Sequence, residues 1–543
     1  MHVTESDRMD RDAGALLGPL GVVAESVRER EQQVIRPSRP LRQIAQRPYR
    51  TPSMPSPAPS TQYDKCPKWP PRIDLLVRSK GDFGSPALDL ALSRPLLQHE
   101  YCTATVAPME LETQMAFNVA AMRTPPPVYA WSRFGAPEYT DWFDESMSWK
   151  ETCSLGDWSF LWQHRFSGSD ALKLLSDYSV NSFAKFAIGQ SKHVVHTNTN
   201  GKIIHEGIVT RFGDEDFMVH GRGGFWLKHQ LQAGSYDAVC TDEDWFIFQV
   251  GGPASLGVLE ELTQTGAGLR DTKFMHVATV QIAGHDVYAL RQGMSGEIGF
   301  ELQGPRAHAD EVYNAVFKAG REFGMRRIGA RVTMINHLEA CFPTIATDYI
   351  PAIFDTDMSG YLDTFLASMP SYAQPAYIAG SFDAKDISNY YRSPVELGWS
   401  RNINFDHDFL GREALEVEKA EPLRAIRTLV WNPDDVTDVF ANLFHKGAEY
   451  PFMDMPRDQR GFMWADKVTS GDGELVGVTT SRGYSYYFRK MLSLATIDVA
   501  HAEVGSELTV HWGYPDGPQK AIRATVAPAP YKQDNRRMDL HSA

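Results

Sequence analysis

The sequence predicts an α+β fold with a separate all-β domain at its C-terminal end. Three observations carry this. Segments in the body repeat apolar residues every three or four positions, as a helix with one buried face does. Others alternate around tight-turn signals, as paired strands do. Beyond Leu423, short β-rich runs recur between Gly, Asp and Pro turns, the pattern of a small barrel or sandwich. A chain of 543 residues has room for roughly two to four domains. The expected division is a tail over 1–95, a two-part body over 96–422 and a β domain over 423–543.

The tail differs in composition from the rest. Ten prolines fall between Pro37 and Pro71, interleaved with arginines at 36, 39, 42, 47 and 50. Such a stretch buries too little apolar surface to offset its ordering entropy, so an extended segment is expected. Ser169 to Asp177 reads as a short amphipathic helix with Leu172 and Leu175 on one face and a Ser-Asp cap. Lys192 to Thr210 and Asp216 to His220 read as paired strands around the turn Asn200-Gly201. Ala309 to Phe323 places Val312, Val316, Ala319 and Phe323 on one helical face, and Arg331 to Ala340 reads as a second helix, ended by Pro343. Asp434-Asp435 reads as an exposed turn after Pro433. Ala425 to Trp431, Gly473 to Thr480, Met491 to Val499 and Leu508 to Trp512 are the β-rich runs of the last domain.

Composition excludes some functions. The formal net charge of -14 argues against non-specific nucleic-acid binding, which needs a basic footprint. No apolar run is long enough to span a bilayer. The five cysteines are odd in number and scattered, with no Cys-x-x-Cys. They read as reduced thiols of a cytoplasmic protein.

The most informative stretch is Arg291-Gln-Gly-Met-Ser-Gly-Glu-Ile-Gly-Phe-Glu-Leu-Gln-Gly-Pro305. On a strand, Phe300 and Leu302 point to one face and Glu301 to the other. A glutamate held beside glycines can meet a flat heterocycle closely, and its two oxygens can accept a pair of N–H bonds from an amino-pyrimidine edge. A hairpin with a solvated glutamate is the plain alternative. Gly293-Met-Ser295-Gly-Glu297 misses the nucleophile-elbow pattern at its last position. There is no phosphate-binding Gly-rich loop. His193, His196 and His205 lack metal-ligand spacing and read as satisfied or exposed side chains, so no metal is expected. Asp406-His-Asp408 reads as a turn entering a helix at Gly411.

In several segments the chain resembles the folate-binding aminomethyltransferase superfamily, the group of the glycine-cleavage T-protein. Within it the likeness is greatest to the tetrahydrofolate-dependent aryl O-demethylases of vanillate and syringate. The resemblance lies in Ser176-Asp-Tyr-Ser-Val-Asn-Ser-Phe-Ala-Lys-Phe186, Phe248-Gln-Val-Gly-Gly-Pro253 and the stretch ending at Pro305. It continues in Arg331 with Asn336-His-Leu-Glu339, Glu396-Leu-Gly398 and Phe405-Asp-His-Asp-Phe-Leu-Gly-Arg-Glu-Ala-Leu415. Val430-Trp-Asn-Pro-Asp-Asp-Val436, Gly483-Tyr-Ser-Tyr486 and Ala524-Thr-Val-Ala-Pro528 complete it. It implies a three-lobed fold around a central folate site, with a C-terminal β-barrel. It also implies a small aromatic substrate and tetrahydrofolate as cofactor. Glu301 falls where the family binds the pterin ring and Phe342 where the demethylases place an aromatic against folate. Arg222 matches the arginine that holds the substrate carboxylate, and Tyr129 and Trp131 fall near the aromatics that line the substrate ring.

Three positions depart from the demethylases. Their acid tyrosine matches Thr333, a pocket histidine matches Phe160 and a folate-side glutamine matches Asp157. Expelling a phenolate calls for a group that protonates or hydrogen-bonds its oxygen, and a threonine is a poor acid. His337, one turn from Thr333 on the same helical face, is a substitute acid or base, or else a structural histidine. Phe160 enlarges and dries the pocket, which suits a bulkier aromatic. Three readings follow: a folate-dependent O-demethylase of a lignin-derived methoxylated aromatic, a folate-independent lyase releasing formaldehyde from the hydroxymethyl side chain of a lignin-derived dimer, or a non-catalytic folate- or aromatic-binding protein.

Overall fold

The computed structural model describes residues 135–263, 268–368, 377–458 and 463–542. All lie in the second of the two units into which the chain divides, Val106–Ala543. Tail 1–95, Tyr129 and Trp131 lie outside the described residues.

The strands form two open sheets, a short pair and a barrel. The first sheet has the order β11-β1-β7-β10-β9-β8. It is built from β1 (Ser154–Asp157), β7 (Trp245–Gly251), β8 (Val277–Ile282), β9 (His285–Arg291), β10 (Gly299–Pro305) and β11 (Arg326–Arg327). The second has the order β3-β4-β5-β2-β6. Its strands are β2 (Gln163–Ser167), β3 (Ser191–Thr197), β4 (Ile203–Gly213), β5 (Asp216–His220) and β6 (Val239–Glu243). The β3–β4 turn runs through Asn198 to Lys202, with Gly201 at φ +70 as the Asn-Gly signal predicts. Strands β12 (Ile378–Ala379) and β14 (Met463–Trp464) pair in parallel.

The last domain is a closed six-stranded barrel, β13-β17-β16-β15-β18-β19. Its strands are β13 (Arg424–Trp431), β15 (Asp466–Thr469), β16 (Leu475–Ser485), β17 (Lys490–Asp498), β18 (Glu507–Gly513) and β19 (Gln519–Ala527). Closure leaves no strand edge to cap.

Helices α1 (Trp142–Glu151), α2 (Ala171–Asp177), α3 (Gly223–Ala233), α4 (Ser255–Thr263), α5 (Ala309–Gly320), α6 (Thr333–Ala340), α7 (Ser359–Ser368), α8 (Arg412–Ala420) and α9 (Pro433–Asn442) cover the sheets and the barrel. Helix α5 buries Val312 and Val316 as its periodicity requires. They join Phe300, Leu302 and Phe248 in the core behind the first sheet.

Three local expectations are corrected. The carboxylate of Asp170 does not cap α2; it accepts from Asp237 N at 2.9 Å. Helix α6 ends at Cys341, in the left-handed region at φ 53, before Pro343 is reached. Asp434 and Asp435 are the first turn of α9. Asn432 caps it by accepting from both their N–H groups, and Pro433 takes the first position, where no N–H is needed.

Helix α6 lies between the first sheet and the barrel. Gly483 on β16 lets it approach: a Cβ there would sit 2.5 Å from Ile335 and 3.0 Å from Leu338.

Candidate active site

The site grows from the side alternation of β10. Phe300 and Leu302 enter the core, so Glu301 and Gln303 share the opposite face. Register puts Gln249 directly across from Glu301, and Gly156 across from Gln249. Glu301 is 7% exposed. Its Oε1 accepts from Gln249 Nε2 at 3.2 Å and Gln292 Nε2 at 3.3 Å, and its Oε2 from Gln303 Nε2 at 3.4 Å. All three are long bonds to neutral donors, so burial dominates and raises the carboxyl to about 7. The loop before β10 needs its glycine: a Cβ on Gly293 would lie 1.8 Å from the Glu297 carbonyl oxygen.

Helix α6 and the chain after β1 pack against this same side of the sheet. Ile247 of β7 packs with Trp158, Val332 and Ile335, and Phe160 packs against that cluster. The Trp158 indole lies over Gly156, where any Cβ would strike it at 2.2 Å. His337 stacks on Trp158 at 6.1 Å with planes 29° apart, and its ring is 5.8 Å from that of Phe342. His337 is buried, and neither ring nitrogen has a hydrogen-bond partner. Burial, with Arg457 nearby, lowers its imidazolium to about 4, so the ring is neutral at pH 7 with one N–H to donate. Thr333 is also buried, but its hydroxyl donates to Gly329 O at 2.8 Å, four residues back. That proton is committed to the backbone.

The structure thus brings Phe160 and His337 to one wall with Trp158, beside Phe342. Arg536 covers the Phe342 ring, with its guanidinium 4.7 Å from the centroid. Arg222 opens α3, with its guanidinium 5.8 Å from the Trp162 ring centroid. Its positive charge reaches His205, Tyr349 and Tyr361. Asp157 is a correction. Its register partner is Phe248, so it faces Tyr313 on the side of the sheet away from Glu301, exposed and accepting from Ser159 N at 2.8 Å. His193 pairs with Glu206 at 2.9 Å, and His196 Nδ1 lies 2.6 Å from Tyr178 O.

Sequence reasoning did not single out Gln249, Gln292, Gln303 or Trp158. For Gln303 the signal was present: it lies two residues from Glu301 on the same strand, hence on the same face. Gln249 needed the cross-strand register, and Gln292 and Trp158 the tertiary fold.

Chemically, these residues offer a buried carboxylate held at both oxygens on the sheet and a neutral imidazole set among aromatic rings on α6. The carboxylate can accept a pair of N–H bonds, and the imidazole can donate one. A family model, the GCVT N-terminal domain, matches residues 120–359. A sesamin methylene transferase of Sinomonas sp. is 34% identical over 426 residues, covering 75% of this chain and 92% of that protein. The chain belongs to the aminomethyltransferase (GCVT) family. A syringate O-demethylase of Sphingobium sp. is 31% identical over 435 residues, with coverage of 75% and 92%. Among solved structures, the glycine cleavage system aminomethyltransferase T of Bartonella henselae shares the fold. Its TM-score is 0.54 at 18% identity, covering 74% of this chain and 92% of that one. The first two relatives bear names of one-carbon transfer from aromatic compounds, and the likeness to the aminomethyltransferase structure covers the region that holds the two open sheets and the closed barrel of this chain.

Proposed function

We propose that the protein moves a one-carbon unit from an oxygenated aromatic compound to tetrahydrofolate, most directly the methyl of a lignin-derived aryl methyl ether, giving 5-methyltetrahydrofolate. The observation that carries this is the buried Glu301 with its three amide donors, on the face of the first sheet where Ile247 packs with Trp158, the ring on which a neutral His337 stacks. When bound, tetrahydrofolate supplies the nitrogen that accepts the carbon unit. Glu301 holds the amino-pyrimidine edge as a bidentate acceptor, which requires its ionised form. Trp158, Phe160 and Phe342 position the rings and exclude water. The His337 N–H hydrogen-bonds the ether oxygen and strengthens that bond as phenolate charge develops. Thr333, its proton given to Gly329, is left a supporting role in the wall. Arg222 holds a carboxylate on substrates that carry one.

The sesamin relative supports a second reading, transfer of the bridging methylene of a methylenedioxy ring. Both readings need folate, an aryl oxygen leaving group and the same residues. The test is to incubate the protein and tetrahydrofolate with syringate, vanillate, sesamin and a lignin-type dimer bearing a hydroxymethyl group. Mass spectrometry should find 5-methyltetrahydrofolate from the ethers, or 5,10-methylenetetrahydrofolate from sesamin. Formaldehyde from the dimer without folate would replace this reading by the lyase. Tight folate binding with no turnover would leave a binding protein.

A further inference from the structure

An ionised carboxylate only accepts hydrogen bonds, so each glutamine beside Glu301 turns its NH2 toward it and its side-chain oxygen away. For Gln292 that oxygen is buried and has no partner. The residue is 6% exposed and is tethered at both ends: its backbone N–H donates to Gly299 O at 3.0 Å, and Nε2 reaches Glu301 Oε1 at 3.3 Å and Met294 Sδ at 2.9 Å. The Gln303 oxygen is unpartnered too, but that residue is fully buried on the other carboxylate oxygen with His220 beside it. A buried acceptor left unmet is costly, so the Gln292 oxygen calls for a donor on the ligand.

The donor pattern of the ligand then matters. Oxidised and tetrahydro pterins both carry the 2-amino group and N3–H, which a carboxylate accepts equally well from either. Only the reduced ring adds an N–H at N8, on the edge that continues from the 2-amino group. We propose that Gln292 accepts this N8–H and so makes the site selective for tetrahydrofolate over folic acid. The inference rests on the folate reading above and deepens it. Gln292 is a specificity residue here and takes no part in bond making. A ligand lacking N8–H leaves the acceptor unsatisfied, which is how buried polar groups reject analogues.

The test is equilibrium binding, independent of turnover. Anaerobic calorimetry with the wild-type protein would compare tetrahydrofolate, folic acid and an 8-deaza tetrahydrofolate analogue. The expected result is about tenfold weaker binding of folic acid and of the 8-deaza compound. Gln292→Met also removes a donor to Glu301 and so weakens both ligands, but tetrahydrofolate about tenfold more than folic acid, so that the ratio collapses. Gln303→Met should weaken both ligands together. Equal wild-type affinity for tetrahydrofolate and its 8-deaza analogue overturns the inference, and so does an unchanged ratio in Gln292→Met. These ligand comparisons need no variant, so a Gln292→Met protein that does not fold leaves the proposal exposed. Failure of the wild type to bind any of the three is a different result: it removes the folate reading itself.

Discussion

Glu301 combines two opposed properties in one side chain. Burial raises its pKa from the ordinary 4.5 to about 7, so the folded protein binds that proton more tightly than the unfolded chain. Its contribution to stability is therefore full below about 4.5 and is lost as pH rises through about 7. Removing the charge should help the ligand-free fold where the carboxylate is ionised: Glu301→Gln should raise stability at pH 8 by up to about 3 kcal/mol in urea titrations, with little change at pH 4. The same change should cost at least about tenfold in tetrahydrofolate affinity, because one of two accepting oxygens becomes a donor. In the wild type, affinity should be constant above pH 7 and fall about tenfold per unit well below it, as the carboxyl must first release its proton. A pH-independent affinity from 5 to 8 would remove Glu301 from the ligand.

His337 gives a complementary expectation. Lowered to about 4, its imidazolium contributes no inflection between pH 5 and 8, so the rate profile follows Glu301 alone. His337→Phe should lower kcat by about 100-fold and leave folate affinity within about twofold, the split of a group that acts on the reacting bond. A loss confined to folate binding would make it a packing residue.

At the scale of elements, what could be read in the sequence was what depends on neighbours along the chain. The α5 periodicity, the Asn-Gly hairpin and the alternation that separates Glu301 from Phe300 all follow from local geometry. What depends on pairing across the sheet was not readable. Asp157 is next to Gly156 in sequence, yet one step along a strand reverses the face, and only the β1–β7 register reveals it. The α9 helix was readable and was misread: Asn-Pro-Asp-Asp is a start signal, with a cap, a proline at the first position and acidic residues at the positive end of the helix. Asn432→Ala should therefore destabilise the protein by about 1 kcal/mol in chemical denaturation, and Asn432→Asp by much less. Equal losses would mean that the cap bonds contribute nothing.

Across the whole unit, the site depends on how α6 is held between sheet and barrel. Glu339, in its last turn, accepts from Trp149 Nε1 at 3.2 Å on α1 and from Ser485 Oγ at 2.5 Å on β16. It also pairs with Lys150 at 2.7 Å, both side chains being almost fully buried. The Glu339 carbonyl accepts from Lys532 N at 3.0 Å, and Lys532 pairs in turn with Glu297 in the loop before β10. One glutamate thus ties α1, α6, the barrel and the C-terminal segment together. Truncating it strands a buried lysine, so Glu339→Ala should cost about 3–5 kcal/mol of stability. A loss below about 1 kcal/mol would show that the network is incidental. No helix among the described residues is long and apolar enough to cross a membrane.

In the proposed reaction a carbon leaves an aryl oxygen and arrives on folate. The most direct measurement uses syringate carrying 13C in its methoxy groups, with purified protein and tetrahydrofolate, followed by mass spectrometry of the folate pool. Labelled 5-methyltetrahydrofolate should form one-for-one with the demethylated phenol, and should be absent without folate and absent with Glu301→Ala. Unlabelled folate beside consumed substrate, or label released as formaldehyde whether or not folate is present, would contradict it.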